Sequence, residues 1–220
     1  MTTSDTALLA TPVDGLMATP TARLPYQADV GVRSFLLERA HDLVIVYNSP
    51  GITTAATAIR TLGQPSRLLI NHGHEAMYGP SGLEVPVFVH ERDRAETARA
   101  LPVAGVFDRR QLIEDDLEVI PTPGHTPGTT CYLWTHDGRR ILFTGDFVWI
   151  EHGEWKAVVL DRGLRADYLA SLALIRELDV DVLVPWGTSD DGPALAVTTR
   201  EDFRSRINRI IGRVRAGGDR

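Results

Sequence analysis

Three of the seven histidines and one aspartate stand in contexts where they can do chemistry together. His72 and His74 lie in Asn71-His72-Gly73-His74, His125 in Pro123-Gly124-His125-Thr126-Pro127, and Asp146 closes Thr144-Gly145-Asp146. In an extended segment, residues two apart project to the same side. Two imidazoles from one loop, a third from another and a carboxylate give three nitrogens and one oxygen, a donor set that suits tetrahedral zinc. Histidines with a carboxylate also suit non-haem iron(II). One histidine in a loop is ordinarily a hydrogen-bonded loop residue. Four such groups, each following a β-rich run and each beside a glycine, ask for a common explanation.

The runs before them are short and apolar. Arg67-Leu68-Leu69-Ile70 leads into His72, Leu117–Ile120 into His125, and Arg140–Phe143 into Asp146. Strand ends are where α/β proteins gather reactive side chains. Further strands are expected over Val32–Leu37, Leu43–Tyr47, Val85–His90, Val103–Phe107, Thr130–Trp134 and Val182–Val184. His136-Asp137-Gly138 marks a hairpin between two of them. Helical composition covers Thr53–Leu62, Asp93–Leu101 and Asp167–Leu178, and Arg200–Arg220 reads as an amphipathic helix with a basic outer face. The pattern predicts an α/β chain in two βα-rich halves, two sheets with helices outside, an αββα sandwich. Residues 1–28, rich in Thr, Ala and Pro, are expected as a flexible arm, and 29–220 as a single domain.

Thr122-Pro123-Gly124-His125-Thr126-Pro127-Gly128 and Phe143-Thr144-Gly145-Asp146 resemble two signatures of the metallo-β-lactamase superfamily, in its glyoxalase II-like branch. Asn71-His72-Gly73-His74 resembles the start of that family's His-x-His-x-Asp-His motif. The resemblance implies the metallo-β-lactamase fold. It also implies that His72, His74 and His125 are the histidines of a first metal site, and that Asp146 is the carboxylate bridging two metals. This chain departs from the pattern at three positions. Ala76 stands for the aspartate, Met77 for the next histidine, and Gly187 for the last one. Those are the remaining ligands of the second metal, so the resemblance implies one intact site and one dismantled site.

A single metal still lowers the pKa of a bound water to about 7. Asp146, freed from bridging, is then a fourth ligand or a general base. Glu75, Asp190 and Asp191 are the candidate replacements for the missing acids. Tyr78 is a candidate donor to a developing oxyanion. His152 is expected in a surface turn, and His41, His90 and His136 as structural. Trp149, Trp155 and Trp186 are expected in the core, with a pocket wall as the alternative.

The net charge of −6 disfavours nucleic acid and anionic membranes as partners. No run of 18 apolar residues marks a membrane span. A single cysteine, Cys131, and an N-terminus without a basic, apolar leader point to a cytoplasmic protein. The leading expectation is a mononuclear zinc hydrolase of a small ester, thioester or lactone. The alternatives are a metal-binding pseudoenzyme and an iron oxygenase of the persulfide dioxygenase type. The substrate expected is a small molecule.

Overall fold

The computed structural model describes residues 7–189 and 192–220. Strand residues alternate between two buried faces, which is what a sheet covered on both sides requires. In the first sheet Phe35, Leu37, Val44, Val46 and Leu69 face inward, while Leu36, Ile45 and Leu68 face outward. In the second, Val119, Tyr132, Trp134, Ile141 and Phe143 face inward, while Ile120, Cys131, Leu133 and Leu142 face outward. The two inward sets make one core between the sheets. Helices Pro50–Thr54 and Ala56–Leu62 bring Ile52 and Ile59 to the outer side of the first sheet. Helices Arg165–Arg176 and Arg200–Arg215 bring Tyr168, Leu172, Ile175, Phe203, Ile207 and Ile210 to the outer side of the second. The layers are therefore helix, sheet, sheet, helix, the expected αββα sandwich.

The first sheet runs Leu9–Ala10, Leu16–Ala18, Phe35–Glu38, Leu43–Val46, Arg67–Leu69, Val87–His90, Val103–Phe107. The second runs Gln111–Ile113, Leu117–Pro121, Thr130–His136, Arg139–Gly145, Val182–Pro185, Ala196–Val197. Asp137 and Gly138 turn the hairpin with φ of 48° and 74°, as a two-residue loop of matching twist requires.

Three expectations are corrected. The run Val32–Leu37 is not one strand. Gln27–Val32 and Phe35–Glu38 belong to different sheets, and the chain changes sheet at Arg33-Ser34. The span Asp93–Leu101 is a 3-10 turn, Glu91–Asp93, followed by one short helix, Arg94–Thr97. Pro102 disfavours helical backbone at Leu101, and Asp93 is engaged elsewhere. The third correction concerns the arm. Its residues 1–6 lie outside the described residues, but Leu16, Ala18 and Leu24 are core. Leu16–Ala18 pairs with Phe35–Glu38, and Ala22–Leu24 pairs with Gln27–Val32. Gln27–Val32 in turn pairs with Gly187–Ser189, in a third sheet completed by Trp149–Glu151 and Glu154–Lys156. Among the described residues, no helix is long and apolar enough to cross a membrane.

Candidate metal centre

His72, His74 and His125 converge, with one nitrogen of each within 4.8 Å of the others. His74 Nδ1 and His125 Nε2 are 3.1 Å apart. Two bonds of about 2.0–2.1 Å at a tetrahedral angle place nitrogens about 3.3 Å apart, so one ion fits between them. Asp146 Oδ2 stands 3.5 Å from His72 Nε2 and 3.8 Å from His125 Nε2, which brings the expected oxygen donor to the same point.

Two of the three rings are aimed from behind. His72 Nδ1 meets Asn71 Oδ1 at 3.0 Å, so it carries the proton and Nε2 keeps its lone pair. His125 Nδ1 donates to the Val158 carbonyl at 2.8 Å, with the same result. Buried His72 Nε2 makes no hydrogen bond. A buried polar nitrogen without a partner costs free energy unless something binds it. Burial lowers the pKa of His72 to about 3, helped by the charge of His74. Burial, then His72, holds His125 well below the ordinary value. Both imidazoles are therefore neutral at pH 7, the form that ligates metal. Trp186 packs edge-on against His72, ring centres 5.3 Å apart, and its indole donates to the Asn48 carbonyl at 3.0 Å.

The loops themselves are clasped by two buried carboxylates. Glu75 accepts from the backbone amides of Asn48 at 2.7 Å, Asn71 at 2.8 Å and His72 at 3.3 Å. Its carboxylate also lies 3.4 Å from His72 Nδ1. Burial pushes its pKa up to about 8 against the pull of those amides. Glu75 is thus a scaffold behind the site and not the acid or base the sequence proposed, because its oxygens are taken up by backbone. The same three amides draw the chain after His72 into a 3-10 turn, Gly73–Tyr78, so His74 does not sit on the extended segment expected of it. Asp93 accepts from Gly73 N at 2.9 Å, Gly128 N at 2.7 Å and the Thr126 hydroxyl, and so ties the His72–His74 loop to the His125 loop. Nothing in its local sequence marked it.

Asp146 hangs from a junction that only glycine allows. Gly145 has φ +57°, and a Cβ there would lie 1.9 Å from Asn71 Oδ1. Its amide donates to the Tyr47 hydroxyl at 2.8 Å, and that hydroxyl donates to the Val184 carbonyl at 2.6 Å. Burial, then the charge of Glu75, raises the Asp146 pKa to about 7. Tyr78 donates to the Arg23 carbonyl at 3.4 Å, and its ring meets Trp186 at 6.0 Å. Burial, then Tyr26 and Asp146, pushes its pKa up to about 12. Asp190 and Asp191 lie outside the described residues. His152 is in an exposed turn with φ 48°. Trp155 packs in the outer core against Phe203, whereas Trp149 lines the site.

The opening over the cluster is a hollow of about 130 Å³ walled by Leu24, Tyr26, Trp149, Leu160 and Gly187, with Arg220 at its rim. Two of those wall residues, Leu24 and Tyr26, come from the segment expected as a loose arm. A wider groove of about 530 Å³ shares Tyr26, His74 and Leu160 with it and is floored by Ala76 and Met77. Gly187 is walled in too, since a Cβ there would stand 3.2 Å from Val30 Cγ1.

The sequence profile of the metallo-beta-lactamase superfamily matches residues 63–187, and the chain belongs to that superfamily. Those residues hold all four members of the cluster. Solved structures of the same fold include VMB-1 at pH 5.5, with TM-score 0.70, 14% identity and coverage of 97% of this chain and 99% of that one. The subclass B3 metallo-beta-lactamase BJP-1 of Bradyrhizobium japonicum gives TM-score 0.61 at 17% identity over 96% and 94% of the two chains. The hydrolase AbOPH of the beta lactamase superfamily gives 0.61 at 12% identity over 90% and 94%. At these identities the likeness is one of fold. No curated protein matches the sequence significantly.

Proposed function

We propose that the protein is a metal-dependent hydrolase of a small ester, thioester or lactone, holding one zinc ion on His72, His74, His125 and Asp146. The observation that carries this is His72 Nε2, a buried lone pair with no partner beside two more imidazole nitrogens and a carboxylate. Zinc held there supplies a Lewis acid that polarises a carbonyl and acidifies water. Asp146, as the carboxylate, would offset part of the ion's charge through Oδ2, leaving Oδ1 to accept a proton. Tyr78 keeps its proton well above neutral pH and is the candidate donor to a developing oxyanion, provided that its hydroxyl turns away from the Arg23 carbonyl. Leu24, Trp149 and Leu160 give the hollow apolar walls. The glyoxalase II-like motifs favour an oxygen or sulfur ester over a lactam, and the single buried cysteine fits a cytoplasmic, reducing setting.

A second reading rests on Ala76, Met77 and Gly187. With no ligating side chain at those three positions, the protein is a metal-binding pseudoenzyme that uses the site for structure or recognition. One experiment separates the two. Protein purified without chelator is analysed for metal, then assayed with zinc and with iron supplied on a panel of thioesters, lactones and esters. Turnover that disappears together with the metal in His125→Ala supports the hydrolase. Tightly bound zinc without turnover of any panel member overturns it in favour of the pseudoenzyme. Tight iron with oxygen uptake would move the protein to the oxygenase class.

A further inference from the structure

Ala76 and Met77, where related chains carry second-metal ligands, form the floor of the wider groove beside the cluster. Three large apolar side chains that are otherwise hard to account for meet on this groove: Tyr26 is 68% exposed, Leu160 61% and Met77 45%. They come from three separate parts of the chain, the strand-to-strand turn before Gln27–Val32, the 3-10 turn Gly73–Tyr78 and the loop before Arg162–Leu164. Exposed apolar groups scattered singly need no explanation, but a converging set marks a binding surface. His74, Tyr26 and Leu160 line both the groove and the hollow over the cluster, so the two openings adjoin. The charged residues lining the groove are Glu96 and Arg99, of opposite sign, so its charge balance favours an uncharged occupant. A volume of about 530 Å³ lies within the about 300–1,000 Å³ usual for small-molecule sites. Met77 adds an unbranched, polarisable side chain that adapts to irregular apolar partners.

We infer that the groove over Ala76 and Met77 is an acyl subsite: the substrate carries an unbranched aliphatic acyl chain that lies between Met77, Leu160 and Tyr26. This deepens the hydrolase reading and takes from it only that an acyl carbonyl meets the cluster. Replacing two ligands by Ala and Met thereby changes the wall from one that binds a cation to one that binds hydrocarbon.

The test is a binding series on the zinc-loaded protein with the straight-chain carboxylates from acetate to octanoate, the products of such a reaction, followed by calorimetry. Affinity is expected to rise about two- to fourfold per added methylene, as partial to full burial of each CH₂ dictates. Met77→Ser and Leu160→Ser should flatten the series with zinc content unchanged. Val197→Asp, at an exposed apolar position away from the groove, should leave the slope as it is. A flat series in the parent protein, or a slope that survives both groove variants, overturns the inference. So does a dimer that dissolves in the two variants while the series is flat, which would make the groove a contact between copies. Because binding needs no turnover, an intact slope without hydrolysis strikes the hydrolase reading alone, and hydrolysis with a flat series strikes the acyl subsite alone.

Discussion

Asn71 Oδ1 receives the Nδ1 proton of His72 at 3.0 Å, while the Asn71 side-chain amide donates to the Thr130 carbonyl. One amide thereby couples the orientation of an imidazole of the cluster to the strand that follows the His125 loop. Ligating histidines depend on such partners for tautomer and aim, and losing one typically costs about 10–100-fold in metal affinity. Asn71→Ala is expected to weaken zinc binding by that factor, measured by competition with a chromogenic chelator. An unchanged affinity would show that the ring is aimed without Asn71.

The protein is expected to hold one tightly bound metal per chain. The residues at positions 76, 77 and 187 offer no imidazole, thiolate or carboxylate for a second zinc ion. Elemental analysis should return about one equivalent, and chelator treatment should lower the melting temperature. At a free metal concentration about 100 times Kd, the linked stabilisation is about 2.7 kcal/mol. For a chain of this size that corresponds to about 5–10 °C. Two equivalents would mean that another acid rebuilds the second site.

Asp146→Asn separates binding from chemistry. The amide can still meet the ion through its oxygen, but it neither takes a proton nor offsets positive charge. Loss of turnover by about 10²–10⁴-fold with most of the metal retained is the expected result, read from kcat and metal content on the same preparation. Unchanged turnover with unchanged metal would remove Asp146 from the chemistry.

Away from the site, Arg39 is buried among acids, with Asp116 at 2.5 Å and Asp42 at 2.8 Å. Burial by itself would raise the Asp116 carboxyl, but hydrogen bonds from Arg39 and the Trp134 indole hold it below the ordinary value. A carboxylate whose folded pKa is depressed contributes stability that is present above its unfolded value, about 3.9, and is lost as pH falls through the folded one. Acid unfolding of the parent protein should therefore steepen below about pH 4. Asp116→Asn should cost about 1.5–3 kcal/mol at pH 7 and lose that part of the acid dependence, as followed by urea unfolding across pH.

The sequence alone determined the four residues of the centre and the layer order, for local reasons. Strand alternation over Leu117–Ile120 and Thr130–Trp134 states which faces are covered, and the glycines beside His74, His125 and Asp146 mark loops that must turn sharply at strand ends. Set beside the family resemblance, it also marked Ala76, Met77 and Gly187 as positions without a nitrogen or carboxylate ligand. Tertiary structure decided what no local signal carries. Glu75 reads as a loop acid beside two histidines, yet three backbone amides from Asn48, Asn71 and His72 draw it inside. Asp93 reads as the start of a helix, yet its oxygens bind two loops that are far apart in sequence. Residues 16–32 lack the long apolar periodicity of a core element, and their pairing partners, Phe35–Glu38 and Gly187–Ser189, exist only once the chain has folded. A hydrogen bond or a strand pairing between distant segments depends on where both ends arrive, so it leaves no mark on the composition of either.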